Sequence, residues 1–130
     1  MAKTKPGSIS EGESTVVRTV AADESASPVN DTNYPPANAT TCAAWRTVAI
    51  FPRFTGGTNP TATLEILHRT TGGWMIGDRR ESLTEGARVI VDVMGRDIFV
   101  RVYGLTGTPT EVNVHCAGWE PFKYDGGRGA

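Results

Sequence analysis

"RVIVDVMGRDIFVRVYGLTGTPTEVNVHCAGWEP", residues 88–121, decides the fold. Val89, Val91 and Val93 fall on alternate positions, as do Ile98, Val100 and Val102, and then Val112, Val114 and Cys116. A period of two places each set on one face of a β-strand. "GRD" (95–97) and "TGTP" (106–109) separate the runs and are turn-forming text. The first two runs, 88–94 and 98–105, read as a hairpin closed at "GRD". In the last run, 110–119, Glu111, Asn113 and His115 take the face opposite the valines. Neighbouring residues on opposite faces cannot converge on one metal without a bulge, so the His115-Cys116 pair reads as strand, not as half a site.

Further towards the N-terminus the same signal continues. "WRTVAIFPRF" (45–54) is apolar and β-prone, and "TATLEILHR" (61–69) alternates with Ala62, Leu64, Ile66 and His68 on one face. "WMIGDRRE" (74–81) is a short strand ending in charge. "TGGTNP" (55–60), "TTGG" (70–73) and "SLTEGA" (82–87) are turns, and Ser82–Glu85 is the one place that would admit a helical turn. Six or seven short strands at roughly ten-residue spacing make an all-β chain, an antiparallel β-sandwich or jelly-roll-like domain.

Composition divides the chain near residue 40. Residues 41–120 carry the strands, and 121–130 form a Gly-rich C-terminal tail. Residues 1–40 are rich in Ser, Thr, Ala, Asn and Pro, and Tyr34 is their only aromatic residue. Such text buries too little apolar surface to order itself alone, so it reads as an extended polar N-terminal arm. One island, "STVVRTV" (14–20) with Val16, Val17 and Val20, has strand propensity. It can add to a neighbour's sheet edge or pair with its own domain's sheet.

Charge and targeting narrow the function. Thirteen basic and fourteen acidic residues leave a net charge of −1, which disfavours a nucleic-acid partner held by phosphate contacts. The first fifteen residues contain no apolar signal core, and no apolar run reaches the ~18 residues of a membrane helix, so synthesis in the cytoplasm and no membrane partner are expected. Catalysis and metal binding find little support. Cys42, His68, His115 and Cys116 show no paired ligand spacing, and no cofactor motif is present. Glu65, Asp78, Glu81, Glu85, Asp92 and Asp97 read as solvated strand faces. Whether Cys42 and Cys116 pair stays open. Trp74 and Trp119 lie at strand ends, where rings fill a core, a protein interface or a sugar-stacking platform.

The run over 88–121, with its "GLTG" turn and closing "GWE", resembles small β-sandwich and jelly-roll decoration or cement proteins of tailed bacteriophage capsids. The resemblance is one of style across residues 45–120 and rests on no diagnostic motif. It implies a non-enzymatic structural protein on the virion capsid surface. Its partners would be the major capsid protein and its own copies, as dimer or trimer, with the arm lashing neighbours. An N-terminal arm with little helical character departs from some members. Val16, Val17, Val20, Tyr34, Trp74 and Trp119 are the expected partner-binding residues. A head-fibre base, neck or tail component is another virion role, and a carbohydrate- or receptor-binding module is the alternative from a different class.

Overall fold

The computed structural model describes residues 14–42, 45–93 and 97–121, the last three by backbone alone. Its elements are β1 (Thr15–Val20), a 3-10 turn (Pro36–Asn38), β2 (Thr40–Thr41), β3 (Trp45–Thr55), β4 (Thr61–Thr70), β5 (Gly73–Leu83), β6 (Val89–Asp92), β7 (Asp97–Thr106) and β8 (Glu111–Pro121). They form two four-stranded sheets, ordered β1-β8-β3-β6 and β2-β7-β4-β5. All pairings are antiparallel. First pairs with last, second with seventh, third with sixth and fourth with fifth. That nesting is the order of an eight-stranded jelly roll, so the all-β sandwich expected from the alternation is the fold.

The alternate residues meet between the sheets. Val48, Ile50, Val89, Val91, Val112, Val114 and Cys116 come from the first sheet, and Ala62, Leu64, Ile66, Ile98, Val100 and Val102 from the second. Burying a Val, Leu or Ile side chain contributes about 1.5–3 kcal/mol, so this layer is the main driving force for the fold. Pro52 sits in β3 just past the four residues that β6 pairs, so the N–H it lacks faces no ladder partner there. The β3–β4 and β7–β8 turns interlock, with Thr58 N–H donating to the Gly107 carbonyl at 2.9 Å. Gly57 and Gly107 have φ of +83° and +78°, and a Cβ on either would lie under 2.7 Å from the other loop's main chain. Only glycine combines that backbone angle with that approach.

Three expectations change. The hairpin expected between 88–94 and 98–105 is absent: β6 pairs with β3, while β7 pairs with β4 and β2 in the other sheet. Two alternating runs in sequence are as compatible with opposite sheets as with a hairpin, because period two reports a buried face and not a neighbour. The connecting residues 94–96 lie outside those described. Ser82–Glu85 is not helical; β5 runs on to Leu83, with Ser82 at φ 56°, and the helical turn is at Pro36–Asn38. Lastly, the expected boundary at residue 40 separates a strand from its own sheet. β1 pairs with β8 from Thr15↔Cys116 to Val20↔Val112, with a bulge between Val16 and Arg18. "STVVRTV" therefore takes the second of its two options. The part of the expected arm before residue 14, and the tail from residue 122, lie outside the described residues.

Candidate partner-binding surfaces

Between β1 and β2 the chain crosses the outer face of the second sheet, where a polar seam holds it. Thr63, Glu65 and Leu67 of β4 and Phe99, Arg101 and Tyr103 of β7 alternate with the core residues and so face outward. Arg101 is the hub. Its guanidinium donates to Glu65 Oε1 at 3.0 Å, to Tyr34 Oη at 3.0 Å, and to the carbonyls of Glu24, Ser25 and Ser27 at 3.1, 3.2 and 3.1 Å. Tyr103 Oη donates to the second oxygen of Glu65 at 3.2 Å. Burial opposes the Arg101 charge, but the bonds to Tyr34 and Glu65 outweigh it and raise its pKa. Burial, then the Glu24 charge, pushes the Tyr34 phenol up, so it remains a neutral donor or acceptor.

Of the expected partner-binding residues, several are used internally. Tyr34 is completely buried and packs edge-on against Phe99, ring centroids 5.1 Å apart. Val20 is in the inter-sheet core and Val17 packs at its margin. Trp74 is half-buried; its indole N–H donates to the Tyr34 carbonyl at 2.7 Å and its ring meets Phe99 edge-on at 5.8 Å. Among those whose side chains are described, Val16 alone is open, at 46% exposure. Trp119 pairs with Thr47 in the β3–β8 ladder, and its side chain is outside those described.

Val16 belongs to a second surface, the outer face of the first sheet. Its cross-strand partner is His115, and His115 in turn is opposite Phe51. The imidazole stacks on the Phe51 ring at 5.1 Å and 15°, and Arg88 lies 5.8 Å above the same ring. One row further, Ala117, Ala49 and Ile90 are in register across β8, β3 and β6, and Ile90 is 55% exposed. Ala49 and Ala117 are themselves buried, so the exposed large apolar residues of this face are Val16 and Ile90. Ile90 was legible as an outward apolar residue, because it interrupts the polar parity of Arg88 and Asp92 in its strand. Arg101, Glu65, Glu24 and Arg18 carried no local signal.

The reactive side chains are dispersed. Cys42 and Cys116 are free and buried, and burial pushes the Cys42 thiol up to about 12 and Cys116 higher still. His115, on the polar face as its parity requires, has its pKa lowered by burial and then by Arg53. His68 is buried on the core side and faces Asp78 at 3.5 Å. Glu85 is held below the usual carboxylate range, chiefly by the Phe54 N–H, and bonds Arg53. Among the described residues, no three His, Cys, Asp or Glu side chains gather where they could hold a metal ion. No described helix is long and apolar enough to cross a membrane.

The fold class is therefore an all-β jelly-roll sandwich, with a polar seam on the outer face of the second sheet. Comparison with family models, curated proteins and solved structures finds no match to this chain.

Proposed function

We propose that this chain is a non-enzymatic virion structural protein that binds the outside of a phage capsid and stabilises it through contacts with the major capsid protein and with its own copies. The nested jelly-roll order supports this reading most, because that architecture recurs in viral capsid domains. It is joined by the outer face of the first sheet, where Val16 and Ile90 are exposed apolar side chains on a preformed surface. Contact through that face replaces the lashing by Val20 and Tyr34, which are interior.

Jelly rolls also serve as lectins. For a sugar platform Trp74 would have to present a free ring, and it is instead tied to Tyr34 and Phe99. The virion reading is tested by density-gradient fractionation of particles, followed by mass spectrometry for this chain. Co-sedimentation at fixed stoichiometry with a shell protein is expected, and Ile90→Asp should abolish it while leaving the fold intact by circular dichroism. Retention among small soluble proteins overturns the reading.

A further inference from the structure

Strand β2 covers only the start of β7, with Thr40 and Thr41 opposite Ile98 and Asp97. Further along, the main-chain groups on that edge of β7 are bonded from the crossing and from β1. Arg18 Nη1 donates to the Val100 carbonyl at 2.6 Å. The Glu24 N–H donates to the Val102 carbonyl at 2.9 Å, while the Glu24 carboxylate accepts the Val102 N–H at 2.8 Å. The Asp23 carboxylate accepts the Leu105 N–H at 3.2 Å. Both N–H bonds are thus charge-assisted, and both depend on an ionised side chain. Arg18 and Glu24 also form a two-point pair, 2.7 Å at each contact. The far end of the crossing is held differently: Tyr34 and Ala39 pack on Leu67 and Phe99.

We infer that Asp23–Ser27 is an acid-released guard over the open edge of β7, lifting while the jelly roll and the Tyr34 anchor stay folded. The charged and titratable groups facing it are Asp23 and Glu24 of the guard, Arg18 of β1, Glu65 of β4, and Arg101 and Tyr103 of β7, with Tyr34 beside them. Loss of the Glu24 charge leaves the Arg18 guanidinium, beside the Tyr34 ring, without its counter-charge, while Arg101 keeps Glu65. For Asp23, burial acts to raise the pKa, but the bonds from Ser25, Leu105 and Gly104 outweigh it and the folded value is lowered. A lowered carboxyl contributes stability that is complete above its unfolded pKa, about 4, and is lost as pH falls through the folded one. Lifting bares both main-chain groups of Val102 and the Leu105 N–H, the unpaired groups of an open strand edge.

Amide protection factors of the full chain, measured by NMR from pH 7 to pH 3 and corrected for intrinsic exchange, test this. Val102 and Leu105 should lose protection about tenfold or more below about pH 4, while Val48, Ile66 and Val114 keep theirs. The double variant Asp23→Asn/Glu24→Gln should show the same loss at pH 7. Edge and core amides losing protection in one transition, or edge amides unchanged at pH 3, would overturn the guard. If the variant does not fold, the titration of the unaltered chain decides alone.

Discussion

The molecule has two interiors built on different rules. Between the sheets, the packing is almost wholly aliphatic, and residues such as Val48, Ile50, Leu64 and Ile66 are completely buried. Under the crossing, a smaller apolar cluster of Tyr34, Leu67 and Phe99 adjoins an ion pair, Arg101–Glu65, with side-chain exposures of 12% and 6%. The first interior is non-directional and tolerates any apolar side chain of the right volume. The second is directional, because the Arg101 guanidinium must meet acceptors set at fixed positions. The difference teaches where each kind of contact is useful. Aliphatic packing drives the two sheets together, and the polar seam fixes the path of a segment too polar to choose one by burial.

The largest expected effect breaks the seam. Arg101→Met leaves the Glu65 carboxylate buried with Tyr103 as its remaining partner, and removes four bonds to the crossing, one to Tyr34 and three to main-chain carbonyls. Breaking one side of a buried pair typically costs about 3–5 kcal/mol. Adding Glu65→Leu should recover a large part of that loss, since an apolar pair needs no solvation. Urea unfolding of the two single variants and the double variant at pH 7 gives the coupling. Strictly additive losses would mean that the charges do not act as a pair.

Leu64→Ala probes the other interior, with an expected loss of about 2–5 kcal/mol. Here no second substitution should rescue, because the cost is a cavity and not an orphaned charge. The buried thiols report on the same transition. With the Cys42 pKa near 12 and that of Cys116 higher, neither should react with a thiol reagent at pH 8 until the chain unfolds, and labelling should accelerate in Leu64→Ala in proportion to its lost stability. Fast labelling of the native chain would show that the core is open.

These two interiors also differ in how far they were legible. The inter-sheet core follows from period two: Val89, Val91, Ile98, Val100, Val102, Val112, Val114 and Cys116 each fall on the face their alternation assigns. The partner of each strand does not follow from it, which is why β6 and β7 read as a hairpin. β4 shows the limit most plainly. Alternation of "TATLEILHR" assigns one buried face, yet Thr63, Glu65 and Leu67 are buried too. The crossing packs on Leu67 and bonds Arg101 beside Glu65, and its hydrogen bonds to β7 join residues 67 to 82 positions apart, such as Tyr34–Arg101 and Asp23–Leu105. No local spacing encodes a contact of that kind. Tyr34 was conspicuous as the lone aromatic of a polar segment, but that rarity told of burial without telling against what.

A smaller effect is expected at Gly77. Its missing side chain leaves room for the buried His68 ring, whose Cδ2 would lie 2.1 Å from an added Cβ. Gly77→Ala should destabilise by about 1–3 kcal/mol as overpacking, read from the urea midpoint. His68→Ala in the same chain should relieve the clash, so the double variant should lose less than the sum. Equal loss with and without the imidazole would place the glycine's role in the β5 bulge, where it is the residue without a register partner, instead of in the ring's space.

The smallest effect sharpens the comparison from the outside. Arg69 and Asp31 also pair across the crossing, at 2.6 and 3.1 Å, but at the rim, with side-chain exposures of 29% and 56%. The geometry is as good as that of Arg101 with Glu65, and the pair lowers the Asp31 pKa. Water and salt screen it, however, and exposed pairs of this kind often contribute nothing measurable. Asp31→Asn should leave the urea midpoint unchanged at physiological salt. Arg69 keeps its place 5.2 Å above the Trp74 ring, so the crossing retains that contact. A loss at Asp31 comparable to that at Arg101 would mean that burial does not separate the two pairs, and the seam would have to be understood as one charged network running to the surface.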